Sequence, residues 1–193
     1  MSATTRSRCG WANPNNPLYL AYHDLEWGTP CHEEVRLFEM LNLEGAQAGL
    51  SWETVLNKRE NYREAFDQWN PERIARYTAE KQAALLTNPG IIRNRLKVAA
   101  AISNAQAYLR LREKGGTLDT FLWTYVDDRP IVNAWSRTSD TPAHTELSDR
   151  ISKDLARAGF KFVGSTIVYA YMQAIGMVND HCVACFRHEG KKT

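Results

Sequence analysis

The sequence predicts an all-α fold, on three observations. Apolar residues recur at helical spacing in one segment after another. Capping residues stand ahead of several of these segments, and glycines close others. We find no alternating polar and apolar pattern beyond four residues, and only "RPIVNAW" offers a weak strand candidate.

Taken in order, "HEEVRLFEMLNLEG" sets Val35, Phe38, Met40 and Leu41 close to a 3.6 period and is read as a helix. Ser51 is placed to cap "WETVLNKRENYREAF". Asn70 and Pro71 give "NPERIARY" a cap and a first-turn proline. Thr78 can cap "AEKQAALL". The stretch "IIRNRLKVAAAISNAQAYLRLREKG" is long and alanine-rich, and Gly115 and Gly116 stop it. "TLDTFLWTYV" follows, and then "TELSDRISKDLARAG", with Leu147, Ile151 and Leu155 on one stripe and Gly159 as terminator. "STIVYAYMQAIG" is apolar on nearly every face, which predicts the central buried helix. Residues 127–144, with Pro130 and Pro142, read as a loop, and residues 1–30 and 177–193 read as irregular ends.

Composition bounds the function. A chain of 193 residues that is 44% hydrophobic is expected to form one domain over 1–193 with a core that needs no staples. The net charge of +2 is too small for the whole field to draw in nucleic acid, so such contacts must come from a local patch. No apolar run is long enough to span a membrane, and the N-terminus lacks a signal peptide's apolar stretch. A cytoplasmic protein with reduced thiols is expected. Six tryptophans and eight tyrosines point to a large core or to a pocket for a flat ligand.

Three stretches carry chemistry. "NDHCVAC" holds His181, Cys182 and Cys185. A spacing of four would put His181 and Cys185 on one face of a helix, with Cys182 pointing elsewhere. Two further ligands would have to come from the N-terminal part, either Cys9 and His23 or Cys31 and His32. A metal there would tie the two ends of the chain together; the alternative is ordinary buried cysteines. A redox Cys-x-x-Cys would need a βαβ setting, which this sequence does not offer. "LLTNPGIIRNRLK" reads as a helical hairpin with a turn at Asn88, Pro89 and Gly90, where Gly90 can take positive φ. The second helix would present free N–H groups, and Arg93, Arg95 and Lys97, to a phosphate; the alternative is a solvated basic face. In "LNLEGAQAGLSW", Glu44 stands among apolar and small residues ahead of Trp52, while "PLYLAYHDLEWG" supplies Tyr19, Tyr22 and Trp27. A carboxylate framed by aromatic rings can hold a flat, amino-bearing base taken out of a duplex; the alternative is an aromatic core with Glu44 at the surface.

Together, "RCGW", "PLYLAYHDLEWG", "LFEMLNLEGAQAGLSWETVLNKRENYREAF", "GIIRNRLK", "NAQAYL" and "GFKFVGSTIVYAYMQAIGMVNDH" resemble the bacterial 3-methyladenine DNA glycosylase I family over most of the chain. The resemblance implies a helix-hairpin-helix glycosylase fold of two helical lobes around a DNA cleft, with the hairpin at about 79–110. It implies a structural zinc clip on Cys9, His23, His181 and Cys185, with Cys182 and Cys31 outside it. It implies that Glu44 recognises the alkylated base, that Trp52 stacks on it, and that Tyr22, Tyr19, Trp27 and Trp11 complete the pocket. Asn88, Gly90 and Arg93 would meet the DNA backbone. The implied activity is that of a base-excision repair hydrolase, acting as a monomer on double-stranded DNA. It would release 3-methyladenine by cleaving the N-glycosidic bond without cutting the strand. The other reading is a zinc-containing DNA-binding module without catalysis.

Overall fold

The computed structural model describes residues 6–188. They form ten α-helices: α1 (Pro17–Leu25), α2 (Glu34–Gln47), α3 (Trp52–Leu56), α4 (Arg59–Ala65), α5 (Pro71–Ile74), α6 (Ala79–Thr87), α7 (Arg95–Glu113), α8 (Leu118–Trp123), α9 (Glu146–Ala158) and α10 (Ser165–Ala174). Two short strands, β1 (Ile131–Val132) and β2 (Val178–Asn179), pair in parallel.

The expected caps act where they were placed. Side chains of Ser51, Asn70 and Thr78 accept N–H groups of Thr54, Arg73 and Lys81. Gly159 closes α9 with a φ of +99°, a conformation that suits a residue without a side chain. The core runs along α2, whose residues from Leu37 to Ala46 are all buried, and α10 packs on it. The centre is therefore shared between α2 and α10 rather than held by α10 alone. Within that core, the guanidinium groups of Arg59 and Arg63 bracket the buried carboxylate of Glu39 and fasten α4 to α2.

Four expectations need correction. The N-terminal stretch is not irregular throughout: α1 lies in it, started by Pro17 and capped by Asn16, whose side chain accepts from the N–H groups of Leu18 and Tyr19. The segment after Ser51 is two helices, broken at Asn57 and Lys58. The long helix begins at Arg95, not at Ile91, because Asn94 caps it. The C-terminal stretch contributes β2, whose partner β1 is the strand candidate in "RPIVNAW". That pair clamps the 127–144 segment onto the C-terminal segment, with bonds from Ile131 N–H to Met177 O (2.9 Å) and Asn133 N–H to Asn179 O (3.1 Å).

Candidate active site and metal cluster

The ligand atoms of Cys9, His23, His181 and Cys185 lie within 4.8 Å of one another, and all four residues are buried. Cys9 comes from the N-terminal segment, His23 from α1, and the other two from the turns that follow β2. His181 and Cys185 are not on a helix, as their spacing had suggested; the chain turns back between them. The alternative pair is elsewhere: His32 bonds Asp119 and stacks on Trp123, and Cys31 contacts the core by itself.

The cluster could hold an ion. Cys9 Sγ and Cys185 Sγ each lie 3.5 Å from His181 Nδ1, and Cys185 Sγ lies 3.5 Å from His23 Nε2. The outward nitrogens fix both tautomers. His181 Nε2 donates to the carbonyl of Trp27 (3.0 Å), and His23 Nδ1 donates to Asp24 (2.8 Å), so lone pairs face inward, that of His23 Nε2 accepting the Cys9 N–H at 3.3 Å. A double hydrogen bond from Arg8 holds Asp24 and keeps its carboxyl below the usual range. Backbone N–H groups of Cys182 and Arg187 approach the sulfurs of Cys9 and Cys185. Cys182 thus serves through its backbone, and its thiol stays outside the set.

Beside this cluster opens a pocket of about 320 Å³. Trp11, Tyr19, Tyr22, Trp27, Glu44 and Trp52 all line it, as do Gln47, Thr138, Thr141, Pro142, Ala143, Thr166, Tyr169, Ala170, Gln173 and Asp180. No lysine or arginine is among these lining residues. Trp11 packs edge-on against Trp27 (4.9 Å between ring centres), and Trp27 against His181 (4.7 Å), so the pocket's aromatic wall rests on the Cys/His cluster. Tyr22 and Trp52 lie 5.2 Å apart on the other side.

Glu44 sits near the end of α2 with 4% of its surface exposed. Burial pushes its carboxyl up to about 8, and no group among the described residues donates to it to offset that. Burial raises the hydroxyl of Tyr22 as well, with the Glu44 charge adding to the effect, and this hydroxyl has no hydrogen-bond partner among the described residues. The buried indole nitrogen of Trp52 is also unpartnered. Folded proteins leave few buried polar atoms unpaired, so the Trp52 indole nitrogen, beside a Glu44 carboxyl and a Tyr22 hydroxyl that line the same cavity, marks a place for a ligand.

The hairpin differs from the expectation. The first N–H groups of α7 are not free, since Asn94 accepts those of Leu96 and Lys97. Lys97 is turned inward and donates to the carbonyls of Ala46 and Ala48, 2.7 Å each. Gly90 has no positive φ; a glycine suits it because a side chain there would crowd Asn61 and Asn88 at 3.0 Å. Asn88 closes the turn by accepting the N–H of Gly90 (2.8 Å). Arg93 and Arg95 are exposed.

Sequence reasoning missed the wall formed by Thr138, Thr141, Pro142 and Ala143, and also Gln47 and Asp180. Thr166, Tyr169 and Gln173 carried a readable signal: polar atoms at helical spacing on an otherwise apolar helix.

Comparison with known proteins decides the family. Residues 11–188 match the family model described as methyladenine glycosylase. The chain belongs to the methyladenine glycosylase family. It is 49% identical to DNA-3-methyladenine glycosylase 1 of Escherichia coli (strain K12), over 96% of this chain and 98% of that protein. It superposes with a TM-score of 0.92 on a crystal structure of 3-methyladenine DNA glycosylase I, at 50% identity, covering 94% of this chain and all of that one. A structure described as the structural basis of 3-methyladenine recognition by the glycosylase I of Staphylococcus aureus superposes at 0.89, with 37% identity over 94% of this chain and 96% of that chain. The largely helical fold is thus that of solved members of the family, and among the described residues no helix is long and apolar enough to cross a membrane.

Proposed function

We infer that this chain is a DNA-3-methyladenine glycosylase: a base-excision repair hydrolase that releases 3-methyladenine from alkylated double-stranded DNA. The observation that carries this reading is the unpaired, buried Glu44 carboxyl in an aromatic pocket that no basic side chain lines. Methylation at N3 makes adenine cationic and weakens its bond to deoxyribose. A cationic, amino-bearing base flipped out of the duplex brings the charge and the donors that Glu44 lacks. Binding would then draw off the Glu44 proton. Trp52 stacks on the base and the Tyr22 hydroxyl meets its edge, while Tyr19, Trp27 and Trp11 close the sides. Guanine places an oxygen where Glu44 needs a donor, and is refused. Water then attacks C1′ of the sugar as the C1′–N9 bond breaks, and the bonding pair leaves on a neutral base. With no lysine at the pocket to form a covalent intermediate, the product is an abasic site on an uncut strand.

In the same reading the chain acts as one monomeric domain, in the cytoplasm, and the α6–α7 hairpin is the helix-hairpin-helix unit. Asn88, Gly90 and Arg93 meet the phosphates there. Cys9, His23, His181 and Cys185 hold a structural zinc that joins the two terminal segments into one lobe. Zinc bonds of about 2.0–2.3 Å in a tetrahedron space the ligand atoms roughly 3.3–3.8 Å apart, which suits this set. Bound zinc would supply a cross-link and no reactive position, since four protein ligands fill it.

Chromatography of the bases freed from methylated duplex DNA tests the reading. It predicts 3-methyladenine in the supernatant and 7-methylguanine left in the DNA, with about one zinc per chain in the purified protein. A protein that binds zinc and DNA but frees no base would be a binding module instead.

A further inference from the structure

Asp180 is the second acid that lines the pocket, and none of the roles above uses it. Its side chain is buried and accepts four hydrogen bonds. Oδ1 takes Asn133 Nδ2 (2.7 Å) and Trp135 Nε1 (2.8 Å); Oδ2 takes the Tyr169 hydroxyl (2.7 Å) and Gln173 Nε2 (2.7 Å). All four donors are neutral, and together they use the acceptor capacity of a carboxylate, about four positions. They also belong to two different walls. Asn133 and Trp135 lead into the segment that brings Thr138 and Ala143 to the pocket, whereas Tyr169 and Gln173 are pocket residues on α10. The next residue along the chain is His181, a member of the metal cluster. The 131–135 stretch has its other ties to the same C-terminal segment, through the β1–β2 pair and the bond from Val183 N–H to Trp135 O (2.9 Å).

We propose that Asp180 is a positioning residue for the base pocket, fixing the 133–143 wall against α10 and setting both relative to the metal-ligand segment. The proposal rests on the reading of this pocket as the site of 3-methyladenine. A carboxylate is required because every neighbour donates. An amide in its place would turn a donor toward one of the two pairs, and a buried network with one member unsatisfied shifts to relieve it. Tyr169 and Gln173, or the loop wall, would then move away from the base.

The test compares wild type with Asp180→Asn and Trp135→Phe, which removes one donor of the network. Each protein is titrated calorimetrically with free 3-methyladenine, analysed for metal, and assayed for affinity to undamaged duplex. Asp180→Asn is expected to weaken base binding by about tenfold or more, the scale of one lost or misplaced hydrogen bond. Its metal content and duplex affinity stay at wild-type values. Trp135→Phe is expected to show a smaller loss, and the double variant to bind no worse than Asp180→Asn. Base affinity unchanged in Asp180→Asn overturns the proposal, as does a loss that tracks loss of metal. Where Asp180→Asn does not fold, wild-type base affinity in Trp135→Phe overturns it. A wild-type protein that binds no 3-methyladenine overturns the pocket assignment itself, and the proposal with it.

Discussion

Glu39 and Glu44 lie on the same helix, five residues apart, and both are buried, at 3% and 4% exposure. Their surroundings are opposite. Burial alone would raise Glu39, but hydrogen bonds from Arg63 and Arg59 outweigh it and bring the carboxyl below its usual range. Nothing offsets burial at Glu44, and its carboxyl rises to about 8. The paired acid belongs to the architecture. In the proposed function the unpaired one is a cost that the fold carries for a ligand, and active sites are where such perturbed groups gather. The Cys/His cluster resembles Glu39 in this respect, since each histidine's outward nitrogen has an acceptor.

Substitutions can break this contrast from either side. The largest loss of stability is expected at Glu39: Glu39→Gln removes the buried charge between Arg59 and Arg63, leaves Arg59 only its ion pair with the half-buried Glu26, and should cost about 3 kcal/mol by denaturant titration, the low end for breaking a buried pair. Glu44→Gln should act in the opposite direction. Because the folded pKa lies above the unfolded one, the folded protein holds a proton that the unfolded chain has lost between about pH 4.5 and pH 8. Wild-type stability contributed by this proton is therefore full below about pH 4.5 and disappears as pH climbs through about 8. A glutamine in its place does not titrate, so the variant's advantage should widen from pH 5 to pH 8.5, up to about 4 kcal/mol, in paired thermal melts. A flat difference would mean that Glu44 is ionised in the free protein.

Smaller effects sharpen the picture. Tyr22→Phe removes a hydroxyl that nothing in the described protein engages. It should leave stability within about 0.5 kcal/mol and weaken binding of 3-methyladenine severalfold, as loss of about 1 kcal/mol does. Arg93→Ala is expected to change least. Undamaged-duplex binding should fall a few-fold and its salt slope by about 1, with base affinity unaltered. An unchanged salt slope would take Arg93 off the phosphate.

How much of this was legible follows the distinction between local and distant causes. The caps at Ser51, Asn70 and Thr78 act within three residues, and the sequence displays them. The signal for α1 was equally local, Asn16 followed by Pro17, but it lay in a stretch grouped with the irregular ends. The four cluster residues were legible by type, yet choosing Cys9 and His23 over Cys31 and His32 needed either a resemblance or the fold. Spacing misled at His181 and Cys185, where a turn rather than a helix brings the two side chains together. Lys97 looked like a phosphate contact because its inward partners, the carbonyls of Ala46 and Ala48, are about fifty residues distant. The wall at 138–143 left no local trace, since its position comes from strand pairing and from Asp180.

Recognition of the base by the pocket's unpaired acid is tested most directly by single-turnover release of 3-methyladenine from methylated duplex. Wild type and Glu44→Gln are compared, with undamaged-duplex affinity measured alongside. Release should fall by at least about tenfold in the variant, the scale of one charge-assisted hydrogen bond, while duplex affinity stays the same. Release at the wild-type rate in Glu44→Gln would contradict that role for Glu44.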